Sequence, residues 1–539
     1  MNNKILNLFP FIAFIGVMAL TAFLCITIQG NYAVNGNISW LLMGAERLLQ
    51  GQTMVEHIYE PNPPLSLLIY IPHVLFSNFA NLPLPIGSFY VTGLFILLSV
   101  LASYSITKHF SFLSKHERLG FIAYYTIAVT LTTVVYYSER EHFLILALAP
   151  FMLAQFALME RISLPRSLSI PVFIMGTLGV LIKPHYGLVP AFFLLARMIK
   201  HRTINPLKAP DFLALSIMTL LYILFVIVAF SDYAQIIFYE VINLYIGTGQ
   251  DYSVVLGASR ILALLYLSTF ILELILGDGS SPRQRMIKFL YICSILSLIP
   301  YYVQMKGFFN HLIPANSFFM MAVGTSILLR ISPYMNKKLK WNKILAPALS
   351  IFIPYLCVLF VSQTLVPLNN NFPTHKDLQE LPVAQFLKEN CEQPCSFYTF
   401  HTDIEIMPST AAIMGYEYAS RFCTFWPLPQ LAKDLQSDNP ETHKKAIEAK
   451  EKYSRYILED YKFHKPSLLI IVKNILIPTH DDPINFMEFF GEYKPLRTYI
   501  EKHYEKNGEL KFDRSKYFKG TSMDYPYTLY YDIYTLKNQ

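Results

Sequence analysis

The sequence predicts a polytopic α-helical membrane protein with a C-terminal extracytoplasmic α/β domain. Three observations predict it. The chain of 539 residues is 53% hydrophobic and only 15% charged, where a soluble domain carries roughly 25%. Apolar runs long enough to cross a bilayer recur through the first two thirds of the chain. Beyond residue 366 the composition turns polar for about 170 residues, the size of one soluble domain. The expected division is therefore 1–366, a multi-span membrane part with a first outer loop at 30–89, and 367–539, a soluble part.

The spans follow in order. Phe9 to Ile28 is the first, read as an uncleaved anchor because no convincing cleavage site follows it. In the loop after it, Ser39 to Gln50 carries apolar residues at helical spacing and one charged pair, Glu46-Arg47. That pattern suits a helix lying on a membrane surface. Leu65 to Phe76 is short and interrupted by proline, so it reads as interfacial or re-entrant. Nine more spans are expected at Tyr90–Ile106, Phe121–Tyr136, Phe143–Leu158, Pro171–Ile182, Leu188–Met198, Phe212–Phe230, Ile261–Leu276, Phe289–Val303 and Leu312–Leu329. Ile344–Val366 closes the set, for about eleven transmembrane helices.

The loops sort into two sets by alternation. One set holds the Lys/Arg clusters at 108–118, 161–166, 197–208, 283–288 and 330–343. The other holds few basic residues, and positive-inside bias assigns it to the outer face. The N-terminus is then cytoplasmic and the polar C-terminal part extracytoplasmic, in a multi-pass protein of the cell (inner or plasma) membrane. The net charge of +7 is explained by these short basic loops, so no nucleic-acid partner is expected.

In the C-terminal part, the short apolar runs Ser467–Val472 and Tyr527–Tyr534 suit strands, and Lys433–Tyr456 suits a helix. Cys25, Cys293 and Cys357 lie in apolar runs and read as inert. Cys391, Cys395 and Cys423 lack zinc-like spacing, and Cys391 with Cys395 can pair in an oxidising compartment.

The polar motifs all fall in the outer set. Glu60 stands in Tyr59-Glu60-Pro61-Asn62-Pro63-Pro64, where the prolines present it rigidly; Glu56 and His57 precede it. It reads either as a capping or loop carboxylate or as a ligand-orienting group or general base. Glu139, Arg140, Glu141 and His142 crowd between two spans, and each charge would cost about 2.5–3.5 kcal/mol at a bilayer centre. They belong at a surface or in a wet cavity. Lys183-Pro184-His185 ends a span with two candidate cations; Lys306 and His311 repeat the theme. Snorkelling is one reading. Recognition of an anionic phosphate is the other.

The order of these features resembles the GT-C class of integral-membrane glycosyltransferases, which includes protein O-mannosyltransferases and the lipid A aminoarabinose transferase. The resemblance rests on Ser39 to Gly51, Glu60 to Leu65, Arg140 to His142, Lys183 to His185 and Gln304 to Pro314. It covers about the first 330 residues by motif and the rest by architecture. The resemblance implies a hexosyl or pentosyl transferase that moves a sugar from a polyprenyl-phosphate donor to an envelope glycan, lipid or protein acceptor. Catalytic candidates are Glu60, Glu56, Glu139 and Glu141. Candidates for holding substrate or phosphate are Asn37, Arg140, His142, Lys183, His185, Gln304, Lys306 and His311. Membrane lipid surrounds the site. No cofactor and no metal ligand set is expected, a loosely held divalent ion staying open. One departure matters: Asn37 stands where the class usually has an aspartate, and asparagine takes no proton at neutral pH. A flippase for a lipid-linked anion and a non-catalytic envelope assembly protein are the alternatives.

Overall fold

The computed structural model describes residues 3–31, 35–245, 251–276, 281–331, 374–391, 394–401, 404, 406–477, 480–513 and 528–537. The expected span Ile344–Val366 and the basic residues 337–343 lie outside them. The chain forms two compact units. One comprises residues 1–30, 90–224 and 249–369; the other comprises 31–89, 225–248 and 370–539.

The first unit is a helical bundle. Its elements are Asn3–Leu24 with a π-helical extension Cys25–Gln29, most of Leu84–Thr107, then Lys115–Thr130, Arg140–Met159, Arg166–Ile182, Leu188–His201, most of Pro210–Ala229, Tyr252–Leu276, Pro282–Gln304 and Ile313–Ile331. Among the described residues, five helical segments are long and apolar enough to cross a membrane: Leu84–Thr107, Arg140–Met159, Pro210–Ala229, Pro282–Gln304 and Phe309–Arg330. The protein is thus a polytopic helical membrane protein. Where helices approach closely, glycine makes room, as membrane helix interfaces require. A Cβ at Gly176 would collide with Phe151, and one at Gly324 with the Tyr124 ring. Pro210–Ala229 instead turns Ile217, Leu220, Leu221 and Leu224 outward, as a lipid-facing helix does.

The helix ends carry explicit stop and start chemistry. Ser114 and Glu117 form a capping box at Lys115–Thr130, and Ser281 caps Pro282–Gln304 with proline at its first position. Several residues of the basic clusters are spent on ion pairs. Arg197 grips Asp211 through two bonds of 3.0 and 2.8 Å, and Gln155 donates to the same carboxylate at 3.1 Å. Arg283 pairs with Glu117 at 2.9 Å, Arg285 with Glu160 at 2.5 Å and Arg330 with Glu273 at 2.8 Å.

The second unit is α/β. Strands β1 (Ser396–Phe400), β2 (Glu417–Tyr418), β3 (Leu468–Val472), β4 (Ile475–Ile477), β5 (His480–Ile484), β6 (Tyr504–Asp513) and β7 (Thr528–Leu536) form a five-stranded mixed sheet, ordered β2-β1-β3-β7-β6, and a β4-β5 hairpin. β1 pairs in parallel with β2 and β3; β7 runs antiparallel to β3 and β6. Central strand β3 is buried along its whole length, which explains its uninterrupted Leu-Leu-Ile-Ile-Val run. The expected helix Lys433–Tyr456 is two helices, Leu428–Leu435 and Pro440–His464. Asn439 accepts from two backbone amides and Pro440 takes the first position, so the chain stops and restarts there. Cys391 and Cys395 form a disulfide with Cα atoms 5.4 Å apart.

The loop at 31–89 belongs wholly to this unit. Its helix, Gly36–Leu49, starts where the Asn35 side chain accepts from the Ile38 amide at 3.0 Å. Ile38, Trp40, Leu41, Leu42 and Ala45 are fully buried, and Arg47 is buried with them. The amphipathic pattern therefore points into protein, and the apolar face is covered by the chain itself rather than left for a membrane surface. Leu65–Phe76 becomes two short helices, Leu65–Leu68 and Ile71–Ala80.

Candidate active site

Three motifs that lie far apart in the sequence converge in the first unit. Arg140, Glu141 and His142 open the helix Arg140–Met159, one turn earlier than hydropathy alone places it. Glu139 caps that helix, accepting from the Arg140 amide at 3.2 Å. Lys183 ends Arg166–Ile182 in an extended conformation, φ −138° and ψ 84°, because the proline after it disfavours another helical residue. A short 3-10 turn, Phe309–Leu312, supplies Asn310 and His311.

Glu141 is the hub. It is fully buried, and its Oε1 receives Lys183 Nζ at 2.6 Å and Asn310 Nδ2 at 3.1 Å. His311 Nε2 lies 3.4 Å from the same oxygen and 3.0 Å from Lys183 Nζ. A lysine ammonium only donates, so His311 Nε2 accepts and its proton sits on Nδ1. The Tyr186 hydroxyl donates to the His311 carbonyl at 2.6 Å and fixes the turn. Two polar atoms of this cluster are buried with no hydrogen bond among the described residues: Glu141 Oε2 and His311 Nδ1. One can only accept and the other, in this tautomer, donates. Such orphans cost about 1–3 kcal/mol each and call for a partner such as a water or a ligand.

Around this hub the other candidates differ in availability. Gln304 donates through Nε2 to His185 Nε2 at 2.9 Å, and burial lowers the His185 pKa to about 4. His185 is therefore a neutral imidazole near pH 7, which corrects its reading as a second cation. Lys306 follows Met305, which holds φ at 52°; burial lowers the Lys306 pKa to about 8. His142 is committed on both nitrogens: Nε2 meets the Val129 carbonyl at 2.7 Å, and Nδ1 accepts from the Ser138 amide at 3.2 Å. These bonds hold Ser138 at φ 71°, a left-handed conformation that costs a non-glycine residue about 1–2 kcal/mol. Strain of this kind concentrates at functional sites. Arg140 and Glu139 both act electrostatically on Lys183.

The remaining candidates lie in the second unit. Glu60 is buried, and Trp40 Nε1 donates to its Oε2 at 2.7 Å. Its Oε1 receives the Asn62 amide at 3.0 Å and the Asn62 side chain. The carboxylate thus braces the turn that the prolines bend. Glu56 is exposed and accepts from Thr53 Oγ1 at 3.3 Å. Asn37 stands in the first turn of Gly36–Leu49.

The same unit holds a polar framework that no sequence pattern announces. Arg47 donates to the carbonyls of His57 and Ser420, each at 2.8 Å, and to that of Tyr418. Arg421 grips Asp460 at 2.7 Å, and Glu240 receives Lys452, Tyr59 and Tyr453. Asn310 is the missed member of the ionic cluster. It lies inside the Gln304–Pro314 stretch, and its signal was its place next to His311.

No family model matches the chain, and no curated protein matches it. Among solved structures, the crystal structure of ArnT from Cupriavidus metallidurans bound to undecaprenyl phosphate aligns over 75% of this chain and 85% of that one, with TM-score 0.45 and 10% identity. The apo structure of the same protein aligns over 76% and 84%, with TM-score 0.42 and 10% identity. A likeness at this level assigns no role to any residue here.

Proposed function

We propose that the protein is a membrane glycosyltransferase that moves a sugar from a polyprenyl-phosphate donor to a hydroxyl of an envelope glycan, lipid or protein. The observation that carries this reading is the buried Glu141–Lys183–His311–Asn310 cluster, built from three separate motifs and left with one acceptor and one donor unsatisfied.

In this reading the acceptor hydroxyl donates to Glu141 Oε2. Glu141 takes its proton as the oxygen forms a bond to the anomeric carbon. The bond from that carbon to the phosphate oxygen breaks, and its electrons leave with the polyprenyl phosphate. Lys183 and Lys306 offset the charge of the phosphate as it departs, and His311 Nδ1–H and the neutral His185 contribute hydrogen bonds. Lys183 has two roles in sequence. Before donor arrives it neutralises Glu141; a phosphate that draws Lys183 away leaves the carboxylate more basic.

Glu141 is favoured over the other carboxylates for chemical reasons. Glu60 already accepts from Trp40 and Asn62, Glu139 caps its helix, and Glu56 is solvated. The outer face and the cell membrane remain the expected setting. The test uses membranes from cells expressing wild type, His311→Ala or Glu141→Gln, incubated with lipid extract from the same host. Release of free polyprenyl phosphate, followed by mass spectrometry, is expected for wild type only. Equal release by all three would overturn the reading.

A further inference from the structure

The second unit contains a groove of about 560 Å³ whose walls include Glu46, Gln50, Gln52, Asn78, Tyr416 and Glu417. That volume falls in the ordinary range for small-ligand sites, roughly 300–1,000 Å³. We propose that this groove binds a neutral, hydroxyl-rich oligosaccharide. The inference is independent of the transferase chemistry above, since it concerns a different site and needs no turnover.

The charges decide against an anionic ligand. Arg47 lines the groove, but three of its five N–H groups are held by the carbonyls of His57, Ser420 and Tyr418. His464 also lines it, and its Nδ1 is held by Glu417 at 2.6 Å. Both basic residues on this wall already hold partners, while Glu46 and Glu417 repel an anion.

The remaining polar groups suit hydroxyls. Gln50, Gln52 and Asn78 each carry both a donor and an acceptor on one planar group, which is what a hydroxyl needs from its partners. Gln52 Nε2 donates to Gln50 Oε1 at 3.3 Å, and this leaves Gln52 Oε1 buried with no hydrogen bond among the described residues. That orphan acceptor calls for a donor from outside. Glu46 is half-buried beside it, and burial raises its carboxyl pKa, so it too gains from a hydroxyl donor. Leu82 and Pro83, which are not buried, add apolar surface for the faces of sugar rings.

The test is direct binding to the full-length protein in lipid nanodiscs. The probes are labelled chitotetraose, maltotetraose and mannotetraose, with a heparin-derived tetrasaccharide as the anionic comparator. At least one neutral tetrasaccharide is expected to bind and the anionic one to bind more weakly. Gln52→Ala and Glu46→Gln are each expected to weaken that binding about tenfold, the equivalent of one lost hydrogen bond. Both sites face the groove rather than the core, and Glu46→Gln keeps the side-chain shape, so a folding defect in one variant leaves the other informative. The proposal falls if no neutral tetrasaccharide binds, if the anionic probe binds tighter, or if both variants bind as wild type does. Because no donor is present, failure of the transferase reading leaves these outcomes unchanged.

Discussion

Replacing Lys183 by methionine removes the nearest cation from a carboxylate that has no exposure to water. At the 2.6 Å separation of the pair, and with an effective dielectric constant of about 20, the attraction amounts to about 6 kcal/mol. Desolvating each ion costs several kcal/mol, so the net worth of the pair is small. Breaking it is different, because the orphaned Glu141 stays buried and charged. Lys183→Met alone is therefore expected to destabilise the protein by about 3–5 kcal/mol. The double variant Lys183→Met/Glu141→Met removes both charges and is expected to recover wild-type stability or exceed it by about 1–4 kcal/mol. Denaturant unfolding in mixed micelles, followed by intrinsic fluorescence, reads both. Polyprenyl phosphate release is measured on the same preparations. A stable double variant that releases no polyprenyl phosphate is the predicted combination, since a purely structural pair can be replaced without loss of activity. A stable and fully active double variant would refute the catalytic assignment. An unchanged stability in the single variant would refute the buried pairing itself.

Three further outcomes are expected. Lys306, with its pKa lowered to about 8 by burial, is a cation below that pH and neutral above it. Donor KM should therefore rise as pH increases through about 8, and Lys306→Arg, whose guanidinium stays charged, should move that limb upward; a KM flat from pH 7 to 9 in wild type would exclude the residue from phosphate binding. Arg47→Met strips three buried carbonyls of their donor, at about 1–3 kcal/mol for each unsatisfied group, so the variant should unfold at markedly lower denaturant concentration, and an unchanged midpoint would contradict the geometry. The Cys391–Cys395 bridge closes a short loop, so Cys391→Ser/Cys395→Ser should lose no more than about 2 kcal/mol; alkylation followed by mass spectrometry should find these two thiols blocked until the protein is reduced.

Much of the helical part was legible because the bilayer imposes length and composition on each span. The motif residues Glu141, Lys183 and His311 were legible for a related reason: a charge beside an apolar run is costly enough to need an explanation. Their convergence was not legible, because it depends on helix packing and on two strained entries, Ser138 and Met305. His185 was misjudged as a cation because desolvation is invisible in sequence. The helix Gly36–Leu49 was misread in its partner. Its apolar face needed cover, and the sequence does not say whether lipid or protein supplies it; here Arg47 turns inward onto carbonyls more than 370 residues away. Glu60 drew notice through its prolines, yet its carboxylate accepts from Asn62 within the same turn and from Trp40, twenty residues earlier. The Arg421–Asp460 and Glu240–Lys452 pairs had no local signal.

A comparison of Glu141 with Glu60 in cells tests the catalytic assignment of Glu141. A deletion strain is complemented with wild type, Glu141→Gln or Glu60→Gln, and its lipid-linked sugars and surface glycans are profiled. The deletion is expected to accumulate one polyprenyl-phosphate sugar and to lose one glycan substituent. Wild type restores both, Glu141→Gln restores neither, and Glu60→Gln restores them in proportion to the folded protein present. Full restoration by Glu141→Gln, or a deletion strain with an unchanged profile, would contradict that assignment.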